Sequence, residues 1–285
     1  MSQILIEREL ITSAIVCERL IANPYIQGLY EQSSLDSQMR HMNRHDELHG
    51  ITVAYNALQL FSLIKDDISL RRMAISPSGQ REEEFGFSTF LTLSKIFKIE
   101  EHISIDLTCA FIIIAAFCHD IYRFKKTDHP SAGAFIVHGI AQDLLSPILN
   151  PKYADMGFER FLPIIENCII KHEGNEEALN VEEGIVMLAD VIDNDEERII
   201  EKSPVEILKN DPQPIEYFSC KNISHPITIS KGAAKIDLNV KLKEDAGWHV
   251  VHKIMKVAKT SRLFPLMALH VESLKDKTKF DIPLS

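Results

Sequence analysis

The sequence predicts a mainly α-helical fold with a small α+β unit at its C-terminus. Up to about residue 200, apolar residues recur at the spacing of amphipathic helices, which is typical of a helical bundle. After the proline-containing segment 210–214, apolar and polar residues alternate instead, as they do in β-strands. With 285 residues, of which 45% are hydrophobic, the chain is long enough for one large core and a smaller appended unit. We therefore assign residues 1–210 to a helical domain and residues 211–285 to the α+β unit.

The predicted helices cover most of the first 200 residues. Pro130 and Pro163 lie near two of the predicted starts, where a residue without an amide hydrogen is tolerated. The apolar helix that ends at residue 120 is too short for a typical membrane span and carries Asp106, so we predict that it is buried in the core. The predicted spans are 3–22, 46–65, 88–98, 103–120, 130–145, 157–172 and 181–200.

Two regions depart from the helical pattern. The polar stretch between Asp66 and Glu84 is too long for a tight connection and predicts a mobile loop, either a lid over a pocket or a solvated insertion. In the C-terminal unit, alternation around residues 227–229 and 236–242 predicts two strands with Gly232 at the turn between them. A helix from about 246 to 262 follows. Residues 266–271 and 279–283 then predict closing strands.

Composition limits the classes of partner. The net charge of -10 and the isoelectric point near 5.6 argue against nucleic acid and against an anionic membrane, and favour a small soluble substrate. The five cysteines are scattered without a CxxC pair, which indicates reduced thiols. The N-terminal residues lack the pattern of a secretion signal. We therefore predict a cytoplasmic protein, for which a homo-oligomer remains open.

The motif that carries chemistry is the pair His119-Asp120, which closes the apolar run 111–118. Two ionisable side chains at the end of a buried helix cost several kcal/mol unless something pairs with them, and a cation is the simplest partner. Histidine and carboxylate ligands suit manganese, iron, nickel or zinc, and an aspartate can bridge two such ions. Two cations a few Å apart can clamp a phosphate and activate water. Six residues in the order H, HD, H, H, D would form one dinuclear site: His49, His119, Asp120, His129, His172 and Asp190.

Three segments in this order resemble the HD-domain superfamily of metal-dependent phosphohydrolases. Residues 45–54 are similar to the helix that carries the first ligand of that family, residues 117–123 to its HD signature, and residues 185–193 to the helix that carries its last ligand. Tyr122 stands where the signature more usually has glycine. The resemblance covers about residues 40–200 and implies an HD-domain helical bundle.

The resemblance also implies which residues bind metal. His49, His119, Asp120 and Asp190 match the four core ligands, so one divalent transition-metal ion is expected. Residues 129–134 and 169–174 are similar to the subfamilies that bind two ions, which would make His129 and His172 ligands of a second ion. The alternative for His129 is that it caps the helix beginning near Pro130.

Further residues near these motifs are candidates for catalysis, together with Asp120 itself. Arg123, Lys125 and Lys126 follow the HD pair and either bind a substrate phosphate or form a solvated charge cluster. Asp193, one turn after Asp190, is expected to act as a general base or to accept a hydrogen bond from a ligand, unless it belongs to a solvent-exposed face. His45 lies one turn before His49 and has either a supporting role at the site or a capping role.

The predicted function is a metal-dependent phosphohydrolase or phosphodiesterase that acts on a small phosphoester such as a nucleotide through metal-activated water. Two alternatives use the same residues differently. Some HD-domain relatives with this ligand pattern bind two irons and activate dioxygen. A non-catalytic nucleotide sensor, with the C-terminal unit transmitting the signal, is the other alternative.

Overall fold

The computed structural model describes residues 12–39, 43–67, 85–125, 128–153, 160–201, 204–210 and 214–283. The helices are α1 Thr12–Ile21, α2 Pro24–Met39, α3 Glu47–Ile64, α4 Ser88–Leu91, α5 Glu101–Cys118, α6 His129–Tyr153, α7 Leu162–Lys171, α8 Val181–Ile192, α9 Pro204–Asn210, α10 Pro214–Lys221 and α11 Trp248–Thr260. The strands are β1 Ile223–Gly232, β2 Lys235–Leu242, β3 Met267–Ser273 and β4 Lys279–Pro283. This architecture confirms the predicted helical bundle with a small α+β unit.

The centre of the bundle is α5, which packs against α1, α3, α7 and α8. Every residue from Ala110 to Cys118 is buried, because this stretch is apolar on all sides and must be surrounded by other helices. Among the described residues, α5 alone is long and apolar enough to cross a membrane, and 78% of it is buried inside the protein. Its Asp106 accepts hydrogen bonds from the amides of Thr12 (3.0 Å) and Ser13 (3.3 Å) at the first described turn of α1.

The four strands form one sheet in the order β1-β2-β3-β4. β1 and β2 pair as an antiparallel hairpin, whereas β2 and β3 are parallel and are therefore connected by a crossover helix, α11. Alternate residues of β2 and β3 are buried, as the sequence pattern predicts. α11 also packs against α8, which places one helix of the C-terminal unit directly beside the bundle. The division at residue 210 stays a prediction.

Several element boundaries differ from the predicted ones. α8 ends at Ile192 instead of continuing to residue 200, because the side chain of Asn194 donates to the Val191 carbonyl oxygen (2.9 Å) and Asp195 begins a separate 3-10 turn, Glu196–Arg198. α2, α9 and α10 were not predicted at all. Three predictions lie outside the described residues. They concern most of the loop between Asp66 and Glu84, residues 3–11 of the predicted helix 3–22, and Lys126.

Candidate metal centre

Five helices bring the six sequence-predicted ligands together. His49 lies in the first turn of α3, His119 and Asp120 follow the last residue of α5, and His129 begins α6. His172 directly follows α7, and Asp190 lies in the last turn of α8. All are buried except Asp190, whose side chain is 19% exposed. The sequence separates these residues by up to 141 positions, and only the packing of α3, α7 and α8 around α5 makes them neighbours.

Four of the six form a first ligand cluster: His49, His119, Asp120 and Asp190. The Nε2 atoms of His49 and His119 are 3.1 Å apart, and each is 3.4 Å from Oδ1 of Asp190. Oδ2 of Asp120 lies 3.6 Å from the first of these nitrogens and 3.5 Å from the second. Ligand atoms about 2.1 Å from one ion are themselves separated by about 3.0–3.4 Å at right or tetrahedral angles. The atoms of His49, His119 and Asp190 therefore have the spacing of ligands to a single ion, and Oδ2 of Asp120 lies at most 0.2 Å beyond that range from the two nitrogens.

Asp120 also belongs to a second ligand cluster. Its other oxygen, Oδ1, lies 3.2 Å from Nε2 of His129 and 3.4 Å from Nε2 of His172. Glu173, which sequence analysis did not select, places Oε1 3.7 Å from the same His129 nitrogen and completes a group of potential ligands with the two histidines. The two oxygens of one carboxylate thus face two different sets of histidines, as a bridging ligand would.

Two buried oxygen atoms show that a cation suits this centre. Oδ1 of Asp120 and Oδ1 of Asp190 are inaccessible to solvent and accept no hydrogen bond from any of the residues that the structure describes. A buried carboxylate oxygen without a partner is costly, so such atoms are normally paired or bound to an ion. Both atoms point into the ligand clusters, where divalent ions would satisfy them.

Hydrogen bonds behind the ligands orient three of the histidines. Nδ1 of His119 donates to the carbonyl oxygen of Ala116 (2.8 Å), and Nδ1 of His172 donates to that of Ile169 (2.6 Å). Nδ1 of His49 donates to Oδ2 of Asp193 at 2.6 Å. With Nδ1 protonated, each ring presents the lone pair of Nε2 to the centre, which is the arrangement that metal-binding histidines require.

The charged groups of the site shift one another's pKa values. Burial alone would raise the pKa of Asp120, but the neighbouring positive groups, His119 foremost, hold it well below its usual range. Burial alone would also raise the pKa of Asp190, but the neighbouring His119, His49 and Arg198 hold it well below its usual range. The carboxylates in turn raise the pKa of His119 to about 10, although burial acts in the opposite direction. Protons therefore compete with any metal ion for this histidine.

A buried arginine that sequence analysis missed, Arg198, lies directly beside the first ligand cluster. One guanidinium nitrogen of Arg198 lies 3.1 Å from Nε2 of His49 and 3.2 Å from Nδ1 of His45, and another lies 3.6 Å from Oδ1 of Asp190. Its Nε donates to the carbonyl oxygen of Arg44 at 3.2 Å, which anchors the side chain. The available sequence signal was a single basic residue closing the acidic run after Asp190.

The other predicted residues surround the clusters. Arg123 contacts Nε2 of His129 at 2.8 Å and Oε1 of Glu173 at 3.0 Å, on the side of the second cluster. His45 donates to Oδ2 of Asp120 at 2.8 Å, which is a supporting contact. The contact of Asp193 with His49 fits the hydrogen-bonding role among the roles predicted for it. Lys125 points elsewhere, with Nζ 5.8 Å from the ring centre of Tyr122.

A cavity of about 420 Å³ lies beside both clusters. Asp120, His172 and Asp190 line it from the bundle, and Lys253 and Lys256 line it from α11. The site is therefore accessible to a small molecule, and the C-terminal unit forms part of its wall.

Comparison with known families agrees with this geometry. A family model described as HD domain matches residues 91–195, a span that includes five of the six predicted ligands and leaves His49 outside. Comparison with curated proteins and with solved structures gives no significant match. Residues 91–195 therefore match the HD domain, the family whose motifs the sequence resembles.

Proposed function

We propose that the protein is a metal-dependent phosphohydrolase or phosphodiesterase that acts on a small phosphoester such as a nucleotide. The observation that carries this proposal is the carboxylate of Asp120, whose two oxygens face two separate histidine clusters 3.2–3.6 Å away. Bound divalent ions such as manganese, iron, nickel or zinc would supply Lewis acidity and lower the pKa of water at this position. The proposed ligands are His49, His119, Asp120, His129, His172 and Asp190, with Glu173 added on the second side.

Basic groups in the cavity favour phosphate over a neutral substrate. Arg123 and Arg198 both line the cavity and stand on opposite sides of Asp120, next to the second and the first ligand cluster. A guanidinium group binds phosphate oxygens through two parallel hydrogen bonds, so each can hold a substrate oxygen and neutralise charge that develops there. Asp193 keeps the ring of His49 in place through its hydrogen bond.

The expected partner is a small phosphorylated molecule, with neither nucleic acid nor a membrane involved. The cavity of about 420 Å³ has the size of a small-molecule site, and the net charge of -10 disfavours long polyanions. The same charge and the scattered cysteines support a cytoplasmic location.

The test combines metal content with phosphate release. The purified protein is expected to hold one or two transition-metal ions and to release phosphate from a panel of nucleotides and other phosphoesters. Asp120→Asn should lower metal content and reduce turnover by more than the roughly 10–100-fold that loss of an outer hydrogen-bond partner costs. Asp143→Asn, an exposed position on α6, is the matched control and should behave like the wild type.

Three results would contradict the proposal. Folded, metal-loaded protein that releases no phosphate from any member of the panel would remove its support. An iron-rich sample that consumes dioxygen with a substrate would favour the oxygenase alternative. Nucleotide binding that survives unchanged in His119→Ala and Asp120→Ala would favour a sensor.

A further inference from the structure

We propose that Lys256, from the C-terminal unit, binds a second anionic group of the substrate while the metal centre holds the reacting phosphate. This inference rests on the proposed function and deepens it, because it defines the substrate as a small molecule with two anionic groups. Lys256 lines the same cavity as Asp120 and His172, but it comes from α11, outside the HD domain.

The position of α11 relative to the metal centre is well defined. Lys253, Lys256 and Val257 are spaced i, i+3, i+4, so they share the helix face that lines the cavity. The carbonyl oxygen of Thr260 accepts a hydrogen bond from the amide of Ala178 at 2.8 Å, which ties the end of α11 to the loop after α7. Gly174, in the same loop, packs so closely that a Cβ there would lie 3.1 Å from Val257. Since His172 and Glu173 directly precede Gly174, α11 and the second ligand cluster are held together.

The two lysines of this face differ in their partners. Nζ of Lys253 forms an ion pair with Oε1 of Glu216 at 2.9 Å, and Glu216 also lines the cavity. Lys256 forms no ion pair with any residue in the described part of the chain. Its side chain is exposed, so the ammonium group can reach a ligand without breaking a protein contact. Lys256 is therefore the cation on this wall that is available to a substrate.

The other charged groups around the cavity have partners, so Lys256 is available to a substrate. The carboxylates of Asp120 and Asp190 face the ligand clusters, and Glu173 contacts Arg123 and His129. Divalent ions at the clusters would make the floor of the cavity more positive still. The ammonium group of Lys256, on the wall of the same cavity, then favours a ligand that carries a second negatively charged group. A cavity of about 420 Å³ has room for such a molecule.

Linear phosphates of increasing length provide the test. The full-length protein, loaded with manganese and checked for metal content, is titrated calorimetrically with orthophosphate, imidodiphosphate and imidotriphosphate, the last two resisting hydrolysis. The variants are Lys256→Met and, as matched control, Lys259→Met, which removes the same charge from an exposed position of α11 outside the cavity. Both variants are compared under identical conditions, so chelation of manganese by the probes affects them equally. Thermal unfolding verifies that both are folded.

For the wild type, we expect tighter binding as phosphates are added. Lys256→Met should weaken binding of the longer probes by about tenfold, the lower end for a hydrogen bond between charged groups, and leave orthophosphate within about twofold. Lys259→Met should change neither.

Three outcomes would overturn the inference while leaving the proposed function intact. Lys256→Met could weaken binding of all three probes equally, or weaken it no more than Lys259→Met does. The wild type could also bind the longer probes no more tightly than orthophosphate. Failure of orthophosphate to bind any of the three proteins would overturn the proposed function with it.

Discussion

Gly50 is the position where one added methyl group should separate two halves of the metal centre. Gly50 follows His49 on α3 and lies against the last turn of α5, which immediately precedes His119. A Cβ at this position would lie 2.8 Å from the carbonyl oxygen of Phe117 and closer still to the hydroxyl of Tyr30, which donates to that oxygen. Favourable contacts between such atoms begin at about 3.5 Å, so Gly50→Ala requires α3 and α5 to move apart by roughly 0.7 Å.

The energetic cost follows from this displacement. Overpacking of this kind destabilises by about 1–3 kcal/mol, and the better helix propensity of alanine offsets about 0.5–1 kcal/mol of it. A net loss of roughly 0–2.5 kcal/mol in the free energy of unfolding is therefore expected. Metal binding should be weakened more than folding is, because the distances between a metal ion and its ligands tolerate a change of only about 0.2 Å. The displacement would widen the 3.1 Å separation of the His49 and His119 nitrogens by more than this tolerance.

The assay is urea unfolding together with metal content after dialysis. Gly28→Ala on α2 and Gly139→Ala on α6 are matched controls, because an added Cβ there meets no atom within 4 Å. Both controls should gain about 0.5–1 kcal/mol and keep their metal. If Gly50→Ala were as stable as these controls and held as much metal, the close approach of α3 to α5 would be refuted.

Three further predictions concern stability and pH. Asp106→Ala removes the acceptor for the Thr12 and Ser13 amides at α1 and should cost about 1–2 kcal/mol in urea unfolding; an unchanged midpoint would contradict this role. Lys171→Met leaves the fully buried Glu183 without its ion-pair partner at 3.1 Å and should cost about 3 kcal/mol, part of which Glu183→Gln should restore in the double variant; a single variant as stable as the wild type would argue against the pair. Manganese affinity should fall about tenfold per pH unit between pH 8 and 6 for each proton displaced, because Asp120 and Asp190 outweigh burial and raise the pKa of His119 to about 10; isothermal titrations with equal affinities across this range would speak against histidine ligation.

The contrast between α8 and α2 shows which helices a sequence pattern can predict. α8 buries Ile185, Val186 and their apolar neighbours, so its periodic pattern is clear. α2 buries Ser33 and Ser37 on the face that also carries Ile26 and Leu29. Small polar residues on a buried face weaken the hydrophobic periodicity, and α2 was therefore missed.

The same contrast holds for the site. His119 and Asp120 stand out because ionisable residues end an apolar helix, a signal that is local in the chain. Arg198 and Glu173 carry no such signal, since charged residues in polar segments are usually solvated. The 3-10 turn Glu196–Arg198 brings the guanidinium group back beside His49, and the end of α7 places Glu173 next to His129.

The sequence by itself therefore determined the helical class of the bundle, the alternating strands and the order of the candidate metal ligands, because each depends on residues close together along the chain. Only the tertiary structure decided that the two oxygens of Asp120 face different histidine clusters, that Arg198 joins the first of them, and that Lys256 of α11 reaches the same cavity. These relations depend on how helices far apart in sequence pack around α5. Packing is set by the fit of many side chains at once, which no local pattern records.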